Sequence, residues 1–165
     1  MKKALVLAAL VLVVSLPCAS SAQWNTPQIV DDSGSPGTYT ALVHDSEGIP
    51  HIAYSGTGGN GVYYAVSDGQ GAWNIEAVYT ANYDCDFIRM LIDEFGVPHI
   101  AYRYSYNNRL SWVYKDAGGS WVSTTITSGG YTGHVSFVMG EDALGNPSPH
   151  FVCQNSSNNL VHYYY

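Results

Sequence analysis

Three histidines recur along the chain at similar spacing, each directly after a proline: His51, His99 and His150. Three imidazoles are a familiar zinc ligand set, and zinc holds its nitrogen ligands at about 2.1 Å. These histidines instead take one position in successive copies of the same motif, and such copies stack as sheets about 10 Å apart. We therefore expect no metal site, and we expect each imidazole to tie its strand to the preceding turn.

A second set of residues has the chemistry of ligand binding rather than of catalysis. Tyrosine rings offer flat stacking surfaces, and Asp, Asn, Gln, Arg and His offer hydrogen bonds to a saccharide or a peptide. The candidate ligand-binding residues are Tyr83, Asp84, Asp86, Arg103, Tyr104, Tyr106, Asn107, Tyr131, His134, Gln154 and Asn155. The alternative is that these residue types are simply what solvated loops contain.

Known catalytic motifs are absent from the sequence. It has neither a G-x-S-x-G nucleophile elbow nor a phosphate-binding P-loop. We therefore name no catalytic residue and expect no cofactor.

An internal repeat is the element that must position these residues. Trp24 recurs as Trp73 and Trp121, at spacings of 49 and 48 residues. Residues 45–54 match residues 93–102 closely, and residues 142–153 are a looser, longer copy. Self-similarity at a fixed period of this length is the signature of a repeat architecture.

Each repeat divides into four short strands, A to D, separated by turn residues. Strand A is predicted at 39–44, 87–92 and 135–140, and strand B at 51–54, 99–102 and 150–153. Strand C is predicted at 62–66, 110–114 and 160–165, and strand D at 24–30, 73–79 and 121–127. This pattern predicts an all-β fold of three tandem, four-stranded antiparallel β-propeller blades.

The blades follow the strand at residues 24–30 and cover about 31–79, 80–127 and 128–165. In such blades the A–B and C–D turns share one face, and the D–A and B–C loops share the other. The structural turn residues predicted on the first face are Asp45, Gly48, Asp93, Gly96, Asp116 and Gly118. The candidate ligand-binding residues all fall on the second face, called here the loop face.

The C–D turn adds a family resemblance. The segment Asp116-Ala117-Gly118-Gly119-Ser120-Trp121 resembles the Asp-box, a turn of sialidase-like (BNR-type) propellers, and residues 68–73 are a weaker copy. The resemblance implies a propeller, since sialidases and lectin-like propellers share this turn. Sialidases also need three arginines converging on a carboxylate, a Tyr nucleophile with its Glu, and an Asp. Only Arg89, Arg103 and Arg109 are present here, and no Arg-Ile-Pro motif occurs.

The N-terminus has the features of an export signal at residues 1–22. Lys2 and Lys3 precede an apolar run over residues 4–16, and small residues follow it. Without Lys2 and Lys3, four basic residues face 13 acidic ones, a net charge of −9. This charge disfavours nucleic acid as a partner, and no apolar run of membrane-spanning length follows the signal. We expect a secreted or cell-surface protein, in which Cys85 and Cys153 pair or remain free.

The phase of the repeat leaves two readings of the assembly open. Residues 23–165 begin with a strand D and end with a strand C, and three blades do not close a ring. The chain is then a piece of a larger propeller, which we favour because it stops at Tyr165 without a closing turn, or two copies share strands in one ring. In either case we expect a non-catalytic module that binds a glycan or a protein through the loop face. The alternatives are a fragment of a sialidase-like glycoside hydrolase and a structural spacer.

Overall fold

The computed structural model describes residues 26–33, 37–56, 60–155 and 160–165. The predicted signal peptide at residues 1–22 and the first repeat tryptophan, Trp24, lie outside these residues. The strands are β1 (Thr40–His44), β2 (Pro50–Ser55), β3 (Asn60–Ser67), β4 (Trp73–Ile92), β5 (Pro98–Tyr104), β6 (Arg109–Lys115), β7 (Trp121–Thr127), β8 (Tyr131–Glu141), β9 (Pro147–Asn155) and β10 (Leu160–Tyr164). The described residues contain no helix, and hence none long and apolar enough to cross a membrane.

The strands pair in chain order and always antiparallel. The first sheet has the order β1-β2-β3-β4-β5-β6-β7, and the second has the order β10-β9-β8. Val62 lies opposite Tyr79 and Val66 opposite Asn74, which is the predicted pairing of strands C and D. The prediction of an all-β, antiparallel fold is confirmed, and neither sheet closes on itself.

Strand β4 belongs to two repeats at once. Its first part pairs with β3 and its second part with β5, so the predicted loop at residues 80–86 is extended strand instead. Pairing of Asn60 with Asp84 and of Cys85 with Tyr104 continues the ladder through this segment. The register then shifts between Asp86 and Arg89, which marks a β-bulge.

The ends of the chain differ from the four-strand pattern. Residues 26–30 form no strand, and within the described residues the outer edge of β10 pairs with nothing. Residues 26–30, the described part of the predicted outer strand at 24–30, therefore have no strand neighbour in this single copy. The first two repeats have four strands each and the third has three.

The turn opposite the loop face is built alike in every repeat. Asp45 Oδ1 accepts hydrogen bonds from the backbone N–H groups of Glu47 and Ile49, both at 2.9 Å. Asp93, Asp116, Asp68 and Asp142 accept the same pair of bonds two and four residues ahead. Gly48 and Gly96 have φ of 81° and 80°, which favours glycine. In the turn that follows β6 the residue with positive φ is Gly119. Gly118 lies one residue earlier, where Glu47 lies in the first turn, and donates its N–H to Asp116.

The histidines join strand B to these turns, as predicted for His51 and His99. Nε2 of His51 lies 3.2 Å from Asp45 Oδ2, and Nε2 of His99 lies 3.1 Å from Asp93 Oδ2. His150 differs, since its Nε2 contacts the carbonyl oxygen of Glu141 at 3.0 Å. In that longer turn the side chain of Asn146 binds both carboxylate oxygens of Asp142.

Two apolar cores lie between the repeats. One joins the first and second repeats and contains Cys85, and the other joins the second and third repeats and contains Cys153. Both cysteines are buried and unpaired. Burial raises the pKa of the Cys85 thiol to about 12 and also raises the pKa of the Cys153 thiol.

Candidate ligand-binding face

Three of the predicted tyrosines form one aromatic cluster on the loop face. The ring centroids of Tyr83 and Tyr106 are 4.5 Å apart, and Tyr104 lies edge-on to Tyr83 at 6.1 Å. Tyr83 and Tyr106 are exposed, whereas Tyr104 is half-buried. The cluster therefore presents two outward aromatic rings on a supporting third, which is an arrangement suited to stacking on an apolar ligand face.

Arg109 supports this cluster from below. Its guanidinium carbon lies 5.1 Å from the centroid of Tyr104 and 6.0 Å from that of Tyr79, and its Nη2 donates to the Tyr79 hydroxyl at 3.4 Å. Tyr79 also packs edge-on against Tyr104, with centroids 5.9 Å apart. Cation–π contact of this kind fixes the plane of the tyrosine rings. The cluster is therefore held by Arg109 of the second repeat together with Tyr79 of the first.

Asp86 and Arg103 lie behind the cluster and bind each other. Arg103 Nε donates to Asp86 Oδ1 at 2.7 Å, and Nη2 donates to Oδ2 in a second, parallel bond. The Asp86 side chain is 7% exposed, and Arg103 Nη1 also donates to Asn108 Oδ1 at 3.4 Å. A bidentate pair this buried favours a structural role over the predicted contact with a ligand.

The ion pair lies at the strained part of the backbone. Phe87 in the β-bulge has φ of 49°, and Asn108 between β5 and β6 has φ of 53°. Arg103 binds Asn108 and places its guanidinium 4.8 Å from the Phe87 ring centroid. A positive φ is costly for a non-glycine residue, so these contacts hold both loops of the second repeat in one conformation.

A cleft of about 430 Å³ is lined by Arg89 of the second repeat and by side chains of the third repeat. Its polar lining includes the predicted His134 and Gln154, together with Arg89. Arg89 Nη2 donates to His134 Nδ1 at 3.4 Å, and Phe87 packs edge-on against the His134 ring at 4.8 Å. The cleft therefore adds the guanidinium of Arg89 and the uncharged amide of Gln154 to the loop face.

The remaining predicted residues lie in two different repeats, Asp84 and Asn107 in the second and Tyr131 and Asn155 in the third. Asp84 and Asn107 are exposed beside the tyrosines, and the Asp84 carbonyl accepts the N–H of Ser105 at 2.9 Å. Asn155 lies in β9 opposite Tyr131 of β8. The side chain of Tyr131 lies outside the described part of the structure.

Sequence reasoning missed Arg89, Arg109 and Phe87 as parts of this face. By register Arg89 stands where the neighbouring repeats have Ala41 and Ser136, so a long cation in place of two small side chains was the available signal. The three arginines do not converge. Arg89 reaches His134, Arg103 reaches Asp86, and Arg109 lies on the tyrosines.

Metal-ligating side chains are not gathered on this face. Within the described ranges, no group of three or more His, Cys, Asp or Glu side chains is placed to hold a metal ion. The face offers aromatic surface and hydrogen bonds, which are the contacts of ligand recognition.

Comparison with known proteins gives information on the fold and none on individual site residues. No family model and no curated protein matches the sequence. Among solved structures, the chain is similar to a fucose lectin from Kordia zhangzhouensis in complex with methyl-fucoside, with a TM-score of 0.50 and 16% identity. The match covers 76% of this chain and 90% of the lectin chain. The similarity shows a shared all-β fold, and the Asp-box resemblance stays a prediction from the sequence.

Proposed function

We propose that this chain is an exported, non-catalytic β-propeller module that binds a glycan through its loop face. The observation that carries the proposal is the exposed pair of Tyr83 and Tyr106, whose rings lie 4.5 Å apart and are each followed in the chain by an exposed polar residue, Asp84 and Asn107. A sugar presents an apolar C–H face and a rim of hydroxyls. Two rings and flanking polar groups match both surfaces.

The structural similarity to a fucose lectin supports a saccharide over a peptide. That lectin was solved with methyl-fucoside, a small neutral glycoside. Its fold is shared over most of both chains. A neutral sugar also suits an acidic protein, because it needs no cationic binding pocket.

The placement of the arginines favours binding over hydrolysis. A sialidase-like enzyme requires three guanidinium groups on one carboxylate, whereas Arg103 is committed to Asp86 and Arg109 to the tyrosine rings. A glycosidase needs a pair of carboxyl groups across the scissile bond. On the loop face the buried carboxylate, Asp86, is already neutralised by its bidentate partner.

A glycan array probed with residues 23–165 tests the proposal, followed by calorimetric titration of the best ligand and of methyl-fucoside. We expect binding, and we expect Tyr106→Ala and Tyr83→Ala each to weaken it by roughly five- to tenfold, since an aromatic contact contributes on the order of 1 kcal/mol. Phe95→Ala is the matched control, because Phe95 is an exposed aromatic residue in the turn between β4 and β5, at the opposite strand ends.

Two results would overturn the proposal. One is the absence of any glycan bound above background by folded protein. The other is binding that survives the loss of both Tyr83 and Tyr106, which would place the ligand elsewhere. Equal weakening by Phe95→Ala would count against the loop face as well.

A further inference from the structure

Each repeat has two sheet faces, and the two faces pack on each other between neighbouring repeats. We call face X the one that the first repeat turns toward the second, represented by Ala53, Val62 and Tyr64. We call face Y the one that receives it, represented in the second repeat by Ile100 and Tyr102. The second boundary repeats this arrangement, with Ala101 and Leu110 of the second repeat against Phe151 and Cys153 of the third.

Face X of the third repeat is uncovered within the described chain. Its Val152, Val161 and Tyr163 correspond by register to Ala53, Val62 and Tyr64. The three counterparts in the first repeat are 0%, 0% and 4% exposed, whereas Val152, Val161 and Tyr163 are 43%, 74% and 57% exposed. An exposed apolar patch of this kind is uncommon on a monomer and marks an interaction surface.

Face Y of the first repeat is uncovered around Leu42, whereas its Tyr54 is buried. Leu42 is 59% exposed, whereas Met90, its counterpart in the second repeat, is 8% exposed. Leu42, Ile52 and Tyr54 line an open apolar cleft of about 390 Å³, together with Ile29 and Val30. Leu42 at one end of the chain and Val152, Val161 and Tyr163 at the other are therefore exposed at positions whose counterparts lie in an internal boundary.

A tryptophan of the second repeat packs on the first repeat at their boundary, and the free ends of the chain contain the counterparts of this contact. Trp121 lies edge-on to Tyr64 with centroids 5.3 Å apart, and its Nε1 donates to Glu76 Oε2 at 3.1 Å. Tyr163 is the counterpart of Tyr64, and Trp73 is the counterpart of Trp121. Trp73 Nε1 is buried and has no hydrogen-bond partner among the described residues.

We infer that a second copy of this chain packs head to tail on the first, with face Y of one copy on face X of the other. Trp73 of the second copy then lies on Tyr163, as Trp121 lies on Tyr64 within the chain. The second copy is the fitting occupant because the equivalent face Y of the second and third repeats already packs on face X at both internal boundaries. Such a contact is heterologous and closes when the rotation permits.

The number of copies follows from the geometry of propellers. Closed propellers have typically four to eight blades. Two copies of a three-repeat chain provide six, and the two head-to-tail contacts are then equivalent. In this ring residues 26–30 of each copy lie beside β10 of the other, where no fourth strand lies among the described residues. Pro27 is compatible with such an outermost strand, where a missing N–H is tolerated.

The mass of residues 23–165 in solution tests the inference, by light scattering and sedimentation from micromolar concentrations upward. We expect the mass of two chains. Val161→Asp on face X and Leu42→Asp on face Y should each weaken association by about a hundredfold, because each buries a charge in the contact. Both residues are exposed in the single copy, so circular dichroism should remain that of the folded protein. Leu144→Asp is the control, since Leu144 is 86% exposed in a turn outside both faces.

Mixing the two variants separates the packing of face Y on face X from the pairing of like faces, X on X or Y on Y. A Val161→Asp copy keeps its face Y and a Leu42→Asp copy keeps its face X, so the equimolar mixture should regain a dimer through one intact contact. A wild-type chain that is monomeric throughout overturns the inference, as does a Leu42→Asp chain that remains a full-strength dimer. A longer chain whose further repeats occupy both faces would be monomeric, and that result would also overturn the inference.

Discussion

The Tyr64 hydroxyl hydrogen-bonds Nδ1 of His51, while Nε2 of the same imidazole lies 3.2 Å from Asp45 Oδ2. Burial raises the pKa of Tyr64 to about 12, so the hydroxyl stays protonated and donates a hydrogen bond to Nδ1. The imidazole then donates from Nε2 to the carboxylate. This chain of bonds joins strand β3 to strand β2 and to the turn before it. The third repeat contains a similar pair, His150 and Tyr163.

Removing the hydroxyl of Tyr64 should destabilise the first repeat. Tyr64→Phe leaves Nδ1 of a buried histidine without a partner, which costs about 1 to 2 kcal/mol in the free energy of unfolding. Urea denaturation followed by tryptophan fluorescence measures this change. Tyr63→Phe is the control on the neighbouring residue, and we expect it to change stability by less than about 0.5 kcal/mol. Equal effects of the two substitutions would contradict the role assigned to the hydroxyl.

Arg103 should matter for stability more than any other cation on the loop face. Arg103→Ala leaves Asp86 as a buried, unpaired carboxylate and removes the support of Phe87, so we expect a loss of about 3 to 5 kcal/mol. Arg89→Ala is the matched control, because Arg89 is exposed and has no carboxylate partner among the described residues. A stable Arg103→Ala variant that no longer binds glycan would instead indicate that Arg103 contacts the ligand, as predicted from the sequence.

The repeat made the strands and the turns predictable. Asp45 binds the backbone of Ile49 and the side chain of His51, both within six residues, so the spacing along the sequence determines these contacts. The pairing of residues 62–66 with 73–79 follows from the same local order. Only local geometry was needed for these features, and a single sequence contains it.

The loop face was predictable in its location and not in its chemistry. Asp86 and Arg103 are 17 residues apart and were both predicted as ligand contacts; in the structure they bind each other, which the sequence did not indicate, and their contact with a ligand stays a prediction. The bulge that brings them together places Phe87 at φ of 49°, in a sequence without a glycine there. Continuous strand through residues 80–86 was missed for a related reason, since it depends on pairing with Asn60 and Tyr104 of two different repeats.

The two cysteines should be present as thiols that react only after unfolding. Cys85 and Cys153 lie in different inter-repeat cores and are 0% and 3% exposed. Burial raises both thiol pKa values, which suppresses the reactive thiolate. Titration of residues 23–165 with a thiol reagent at pH 8 should find two thiols in denaturant without reductant and almost none in buffer. A denatured protein without titratable thiols would show a disulfide and contradict the separate placement of the two residues.

Acid should destabilise the protein through the turn aspartates. The hydrogen bond from the backbone of Ile49 holds the pKa of Asp45 below its ordinary value of 3.8, and backbone bonds from Gln70 and Ala72 do the same for Asp68. The side-chain and backbone bonds from Asn146 also lower the pKa of Asp142.

A folded-state pKa below the unfolded one means that the unfolded chain binds protons first as the pH falls. The stabilisation is therefore complete above about pH 4 and is lost as the pH falls through the lowered values. Urea denaturation between pH 2 and pH 7 should show this loss. Asp45→Asn keeps an acceptor for the turn but cannot titrate, so it should retain much of the stability at pH 7 and flatten the acid slope. Asp45→Ala loses the acceptor and should be less stable at every pH. An unchanged acid slope in the triple variant Asp45→Asn, Asp68→Asn, Asp142→Asn would show that other carboxyl groups govern acid unfolding.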